Sequence, residues 1–281
     1  MDLVFVADSS NHRIQSFRTD GTPVRQWGAF GSGQGRFHYS SSVAVLARSQ
    51  DRSHPVSHRV FVTDVHNHRI QVFDVDGSFV REWGGGLQNN GDGQFGHPSD
   101  VAVHPTQDLV YVTETINHRV QVFDLDGNFI RKWGAQGSGD GQFNQPYGVA
   151  VHPTRDLVFI SDHLQHRIQV FRGDGTFLYK WGARGNKDAQ FAYPGALTLH
   201  PTRDLLLVAD SENHRVQVFD LHGKFICKWG SESRAKDGQF FFPSGVAVDP
   251  INELVYVTDL ESRVQIFTLF GNPNNKRKRH E

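Results

Sequence analysis

The sequence predicts an all-β protein, a six-bladed β-propeller, and three observations support this prediction. Near-copies of Asn-His-Arg-Ile-Gln-Val-Phe recur six times in the 281 residues, and their arginines lie 48 to 56 residues apart. All five tryptophans keep one phase relative to these arginines. Each repeat also holds four short runs rich in Val, Ile and Phe, and four-stranded units repeated in this way are typical of a propeller. The repeated positions are Arg13, Arg69, Arg119, Arg167, Arg215 and Arg263, with Trp27, Trp83, Trp133, Trp181 and Trp229.

The strands of one repeat are clearest in residues 143–182, where GVAV, LVFIS, RIQVF and FLYKW read as strands a, b, c and d. An Asp-Gly pair such as Asp174-Gly175 separates c from d and suits a tight hairpin. Proline in His-Pro-Thr shortens the turn between a and b. No segment keeps a helical period, so we expect almost no helix.

Both terminal blades are predicted to be incomplete. The chain starts with strands b, c and d of one repeat and ends with strands a, b and c of another. We expect the chain to be a piece of a longer protein; the alternative is a ring that closes between two three-stranded blades. We assign residues 1–271 to the propeller, with an insertion at residues 48–58, and residues 272–281 to a basic tail that we expect to be disordered.

Composition excludes several classes of partner. Lys plus Arg is 29 and Asp plus Glu is 30, so the formal charge of −1 argues against a general attraction to DNA or to an anionic membrane. No apolar run is long enough for a membrane span. The single cysteine, Cys227, cannot form an intrachain disulfide, and we expect a cytoplasmic location.

Three stretches resemble the NHL repeat: V(T/A)D-x-x-NHR(I/V)QVF, FxxxWG and GxGDGQFxxPxGVAV, in which x is any residue. The resemblance covers almost the whole chain and is specific for the fold. It implies a propeller of the kind found in tripartite-motif NHL proteins and related families. Since one fold hosts many functions, it implies the function only weakly.

A side chain that occurs at one position of every repeat is expected to do the same structural work in each blade. An acid stands five residues before the repeated arginine, close enough to pair with it across the hairpin between strands b and c. The predicted structural pairs are Asp64 with Arg69, Glu114 with Arg119, Asp162 with Arg167, and Asp210 with Arg215.

Function is expected on the face that carries the b–c and d–a loops, because these loops are longer and more variable than the opposite turns. Residues that interrupt the repeat there, mostly aromatic, suit recognition of a protein or peptide, which is the function that we expect. We expect neither catalysis nor a cofactor. The predicted ligand-binding residues are Tyr39, His97, Asp100, Tyr147, His163, Tyr193 and Phe242.

Two alternatives remain open. Resemblance to tripartite-motif propellers implies single-stranded RNA on the same face, with phosphate contacts from four basic residues: Arg184, Lys187, Arg234 and Lys236. Resemblance to an NHL-like lyase implies zinc held by histidines, and His66, His97 and His163 could reach one face. These three lie in different repeats without a metal-ligand spacing, so we predict no metal site.

Overall fold

The computed structural model describes residues 3–47 and 58–270. The predicted basic tail and most of the predicted insertion lie outside these residues. The contacts divide the chain into unit 1, residues 1–135, and unit 2, residues 136–281. Among the described residues, no helix is long and apolar enough to cross a membrane.

Unit 1 contains three antiparallel sheets, which we call blades 1 to 3. Blade 1 has three strands that correspond to b, c and d, and blades 2 and 3 have four strands each. The strands are β1 (Leu3–Asp8), β2 (Arg13–Arg18) and β3 (Pro23–Trp27); β4 (Ser40–Ala47), β5 (His58–Asp64), β6 (Arg69–Phe73) and β7 (Phe79–Gly84); and β8 (Pro98–Val103), β9 (Leu109–Glu114), β10 (Arg119–Asp124) and β11 (Phe129–Trp133).

Unit 2 contains blades 4 to 6, and its last blade has three strands that correspond to a, b and c. Both incomplete blades therefore lie where the sequence predicted them. The strands are β12 (Pro146–Val151), β13 (Val158–Asp162), β14 (Arg167–Phe171) and β15 (Phe177–Trp181); β16 (Pro194–His200), β17 (Leu205–Asp210), β18 (Arg215–Asp220) and β19 (Phe225–Trp229); and β20 (Pro243–Asp249), β21 (Leu254–Asp259) and β22 (Arg263–Thr268).

Helix in the described residues is confined to four 3₁₀ turns of three residues, each in a b–c loop. The histidine of the Asn-His-Arg motif ends each turn in the left-handed conformation, with φ of 53° at His12 and 54° at His68. The four turns are Ser9–Asn11, Val65–Asn67, His163–Gln165 and Ser211–Asn213.

The apolar core within each unit lies between neighbouring blades. The tryptophan of strand d packs on a phenylalanine in strand c of the next blade, and the ring centroids of Trp83 and Phe123 are 5.8 Å apart. Gly127 in the following c–d turn has φ of +88°, and a Cβ there would lie 2.7 Å from the indole of Trp83. Glycine is thus required at this position both by the turn and by the indole.

A buried polar network fastens each d–a loop to the b–c hairpin that follows it; we call it the loop latch. In blade 5, Arg215 Nε donates to Asp210 Oδ2 at 2.7 Å. Arg215 Nη2 donates to the carbonyl oxygens of Lys187 and Gln190, at 2.8 and 2.9 Å. Gln217 Nε2 donates to the same Gln190 carbonyl at 2.7 Å. One arginine and one glutamine therefore satisfy carbonyls of a loop that has no regular structure.

The loop latch recurs in blades 2, 3, 4 and 6, and the four predicted acid–arginine pairs belong to it. The acids are fully buried, and their arginines are at most 6% exposed. Burial raises the pKa of Asp162 to about 6 and moves the pKa values of Glu114 and Asp210 upward, while the guanidinium and N–H donors oppose this shift. The hydrogen bonds join Arg69 to Asp64, Arg119 to Glu114, Arg167 to Asp162, and Arg263 to Asp259.

The loop latch predicts that Arg215→Ala costs about 3 to 5 kcal/mol of unfolding free energy, because a buried carboxylate and three carbonyls lose their donor. The matched control is Arg13→Ala in blade 1, where the arginine side chain is 33% exposed. That substitution should cost about 0 to 1 kcal/mol. Guanidinium unfolding curves of both variants measure the difference, and equal losses would contradict a structural role for the latch.

Candidate functional site

Each d–a loop also meets the next b–c loop through backbone hydrogen bonds, so the two loops form one surface. In unit 1, Val65 N donates to Tyr39 O at 3.1 Å. In unit 2, His163 N donates to Gln145 O at 3.2 Å. With the loop latch beneath them, these loops present their side chains from a fixed backbone. This is the face on which the sequence placed the binding residues.

Four predicted ligand-binding residues share one position, directly before strand a, and all four have positive φ: Tyr39, His97, Tyr193 and Phe242. Three of these backbone N–H groups donate to Nδ1 of a motif histidine, as Tyr193 N does to His166 at 3.1 Å. The rings of His97, Tyr193 and Phe242 also pack on motif histidines; the centroids of His214 and Phe242 are 4.7 Å apart. We interpreted these residues as interruptions of the repeat, yet their backbones have a repeated structural task.

Unit 2 has a shallow cavity of about 170 Å³ on this face. Three predicted residues line it: Tyr147, His163 and Phe242. Leu260, which also lines it, has a side chain that is 63% exposed. The remaining lining residues, which the sequence did not single out, are Gly195, Ser211 and Ser244.

Strand a of blade 5 has no side chain at its second position, which lines the cavity. Blade 4 has Tyr147 at this position and blade 6 has Ser244, whereas blade 5 has Gly195. A Cβ at Gly195 would meet Ser211 Oγ at 2.9 Å. The glycine at the second position of strand a was the sequence signal from which the place of the cavity could have been predicted.

His163 is the polar group of the cavity with a defined protonation state. Its Nδ1 lies 3.1 Å from Pro194 O. Because a carbonyl only accepts, Nδ1 must carry the hydrogen, and Nε2 of the neutral ring is an acceptor. Burial lowers the pKa of His163. The cavity therefore offers apolar walls and one hydrogen-bond acceptor.

Unit 1 has a different feature on its b–c and d–a loops, which we call the imidazole row: His12, His38, His66, His68 and His97. Ring centroids are 4.8 Å apart for His38 and His66, and 5.0 Å apart for His66 and His97. His12 and His38 are 6.1 Å apart, and His68 stacks on His97 at 5.3 Å. Sequence reasoning considered only His66 and His97 among these, since the contacts arise between blades.

The pKa values of three row histidines lie below their ordinary value. Burial is the largest cause for His66, His68 and His97. Repulsion from neighbouring imidazoles adds to it; His66 lowers the pKa of both His68 and His97. The three rings are therefore neutral at neutral pH and gain charge only on acidification.

The predicted phosphate-binding residues differ in their availability. Arg184 and Lys187 are exposed in the loop before blade 5. Arg234 lies 3.6 Å over the ring of Phe241 and pairs with Glu261 at 2.6 Å, so part of its charge is compensated. Lys236 is exposed in the same loop.

Asp100 does not belong to an accessible face and is a correction to the predicted site. The residue is 8% exposed, and its carboxylate accepts hydrogen bonds from the hydroxyl of Ser42 and the N–H of Val101. Asp100 lies in strand a and is buried against strand b. Its closeness in sequence to the d–a loop did not reveal this burial. In residues 3–47 and 58–270, no group of three His, Cys, Asp or Glu side chains has a geometry that could hold a metal ion.

Comparison with known proteins agrees with the repeat seen in the sequence. A family model described as a 6-bladed beta-propeller matches residues 86–180, and a model of the NHL repeat matches residues 191–219. The chain thus contains a match to the NHL repeat within a six-bladed β-propeller. Protein brain tumor of Drosophila melanogaster is 33% identical over 101 residues, a match that covers 36% of this chain and 8% of that protein.

A solved structure extends the comparison of the fold to nearly the whole chain. A chain in the "Crystal structure of Nidogen/Laminin Complex" matches with a TM-score of 0.67 and 17% identity, over 95% of this chain and 89% of that chain. At this identity the likeness concerns the fold alone. The match to the 6-bladed beta-propeller model confirms the predicted six-bladed β-propeller.

In this propeller, His66→Gln should raise the pKa values of His68 and His97, because it removes a neighbour whose charge opposes theirs. The two-dimensional NMR signals of the imidazole Cε1–Hε1 groups, followed from about pH 8 to about pH 5, measure each midpoint. His222→Gln, an exposed histidine of unit 2, is the control and should leave both midpoints unchanged. Unaltered midpoints in His66→Gln would show that the row is not coupled.

Proposed function

We propose that the protein is a non-enzymatic recognition module that binds a protein or peptide partner on the face of the b–c and d–a loops. The observation that carries the proposal is the unit 2 cavity, which is lined by Tyr147, Phe242 and exposed Leu260. An apolar side chain of the partner would fill the cavity and bury these groups. Such a central anchor is the usual source of binding energy in a protein interface.

The rigidity of the surrounding loops supports this proposal. Arg215 and Gln217 hold the loop before blade 5 by its carbonyl oxygens, and Ser211 Oγ donates to Pro243 O at 2.8 Å. These groups fix the cavity wall before a ligand arrives. Binding then requires little ordering of the protein, which favours affinity for a short segment.

The polar groups of the cavity add orientation to this apolar anchor. With Nδ1 of His163 donating to Pro194 O, its Nε2 can accept a hydrogen bond from an N–H or O–H of the ligand. The solved structure with the same fold is that of a nidogen/laminin complex, which is consistent with recognition of a protein by this architecture.

Single-stranded RNA is the second candidate, and exposed Arg184 and Lys187 favour it. Their loop also contains Asp188, which pairs with Lys228 at 2.6 Å, and Arg234 pairs with Glu261. The positive charge available for phosphates is therefore modest. The modest positive charge therefore favours a peptide over RNA as the ligand.

We expect Leu260→Ser to weaken peptide binding at least tenfold, because an apolar anchor contact is worth about 2 kcal/mol or more. The probe is a set of 12-residue peptides selected from a random display library on the wild-type protein and measured by fluorescence anisotropy. The matched control is Ile251→Ser, since Ile251 is 85% exposed in the a–b turn that precedes β21, whereas Leu260 directly follows β21. Equal binding by both variants would refute the cavity as the binding site.

The RNA candidate is tested with a fluorescent random RNA 10-mer on the same variants. An RNA reader would lose affinity in Arg184→Ala plus Lys187→Ala, and the loss would diminish as salt rises, because phosphate contacts release counterions. Lys224→Ala, an exposed lysine in a c–d turn of blade 5, serves as the control. A large, salt-dependent loss specific to the double variant, without effect of Leu260→Ser, would favour RNA over peptide.

A further inference from the structure

We propose that the imidazole row of unit 1 is a second binding site, which takes the carboxylates of an acidic peptide segment when its histidines are protonated. The site differs in place and in chemistry from the apolar cavity of unit 2. It rests on contacts between residues of blades 1 to 3 alone. It also stands without the proposed function, because its ligand is recognised by charge.

The rings of the row meet at steep angles. Phe30 meets His38 at an interplanar angle of 80°, His38 meets His66 at 58°, and His66 meets His97 at 81°. At such angles the edge of one ring packs toward the face of the next. On protonation both ring nitrogens of a histidine become N–H donors suited to oxygen anions.

The row is accessible and its nitrogens are largely uncommitted. His38 and His66 are exposed, and flanking Phe30 is 61% exposed. His12 Nδ1 accepts the N–H of Tyr39 at 3.0 Å, whereas His68 Nδ1 is buried without a hydrogen-bond partner among the described residues. The side chains of the row form no ion pair with any described residue. An added anion would therefore meet donors that no internal carboxylate has taken.

The charged groups around the row are already compensated. Asp64 lies beneath His66 and His68 and is bound by Arg69, Asn67 and the N–H of His38. Asp8, near His12, is bound by Arg13, Asn11 and Gln15. Glu114, which accepts the N–H of Gly96 next to His97, is bound by Arg119 and Asn117. Arg36 donates to Phe30 O at 3.3 Å and adds positive charge at the edge of the row.

Proton binding gives the site its direction of regulation. The pKa values of His66, His68 and His97 are lowered in the folded protein, so these rings are neutral at neutral pH and the site is weak there. Carboxylates of Asp and Glu stay ionised well below the pH at which imidazoles gain their protons. An acidic segment would raise the histidine pKa values on binding, and by reciprocity its affinity must rise as the pH falls.

An acidic peptide fits the row better than a nucleic acid does. Base recognition on single strands relies on open aromatic faces, and neighbouring rings cover those faces here. Phosphate recognition relies on permanent cations, whereas all five side chains of the row are imidazoles, which contact one another. RNA is therefore an outcome of the test and not the proposal.

The test uses a fluorescein-labelled hexaglutamate peptide, with hexaglutamine as the uncharged probe, and measures fluorescence anisotropy at about pH 7.5 and about pH 5.5. We expect hexaglutamate to bind at the lower pH with an affinity at least tenfold higher than at the upper pH, since each linked proton changes affinity by up to about tenfold per pH unit. Hexaglutamine should bind at neither pH. Hexaglutamate binding that is independent of pH, or matched by hexaglutamine, would overturn the proposal.

The variant His66→Gln plus His97→Gln should abolish the pH-dependent binding, and His222→Gln, outside the row, should retain it. Thermal unfolding at both pH values establishes that each variant is folded. Retention of hexaglutamate binding by the double variant would refute the row as the site. NMR titration supplies a second measurement, since the midpoints of His66 and His97 should rise when hexaglutamate is present.

Two further arms separate this proposal from the other candidates. Leu260→Ser should leave hexaglutamate binding unchanged, so that failure of the unit 2 cavity and failure of the row are distinguishable. An oligouridylate of six nucleotides, tested under the same conditions, should bind more weakly than hexaglutamate. Tighter, row-dependent binding of oligouridylate would replace the acidic peptide by a nucleic acid.

Discussion

The loops that carry both candidate sites depend on one interaction, the buried bond between an acid in strand b and the arginine that opens strand c. The acid also accepts backbone N–H groups of the d–a loop, as Asp210 does from Ala192 at 2.7 Å. The arginine and the nearby glutamine hold carbonyls of the same loop. A buried ion pair contributes little net stability when it is compared with apolar packing. Its value here is positional, because it orders loops whose glycines and polar residues could not order themselves.

Similar fastening is found at the other end of the blades of unit 2. His152 Nδ1 accepts the N–H of Arg155 at 3.1 Å, which closes the a–b turn. On the other side of its ring, Nε2 lies 3.0 Å from Asp204 of the next blade, and Arg155 binds the same carboxylate. His200 Nε2 lies 3.5 Å from the carboxylate of Glu253 without forming a hydrogen bond. The histidine of the His-Pro turn is thus a contact between neighbouring blades of unit 2.

Sequence reasoning could predict the fold because each repeat contains its own strand, turn and pairing signals. The acid and arginine of one hairpin are five residues apart, so the pairing of Asp64 with Arg69 could be predicted from the sequence alone. The sites were only partly predictable, because their groups meet across blades: His66 touches His38 and His97 from neighbouring repeats. Gly195 shows a related difficulty. The absence of a side chain there becomes informative only when it is compared with Tyr147 and Ser244, which also line the cavity.

Equivalent loop positions carry side chains of different chemistry in the two units. The residue before strand a is aromatic or histidine in four blades, and in three of them its ring packs on the preceding motif histidine, as in His68 with His97 and His214 with Phe242. In unit 1 the ring of His97 joins other imidazoles, whose charge changes with pH. In unit 2 the corresponding rings are those of Tyr193 and Phe242, beside a cavity that an apolar group would fill. The repeated backbone fixes where these rings lie, so substitutions at a few loop positions decide which ligand a blade can recognise.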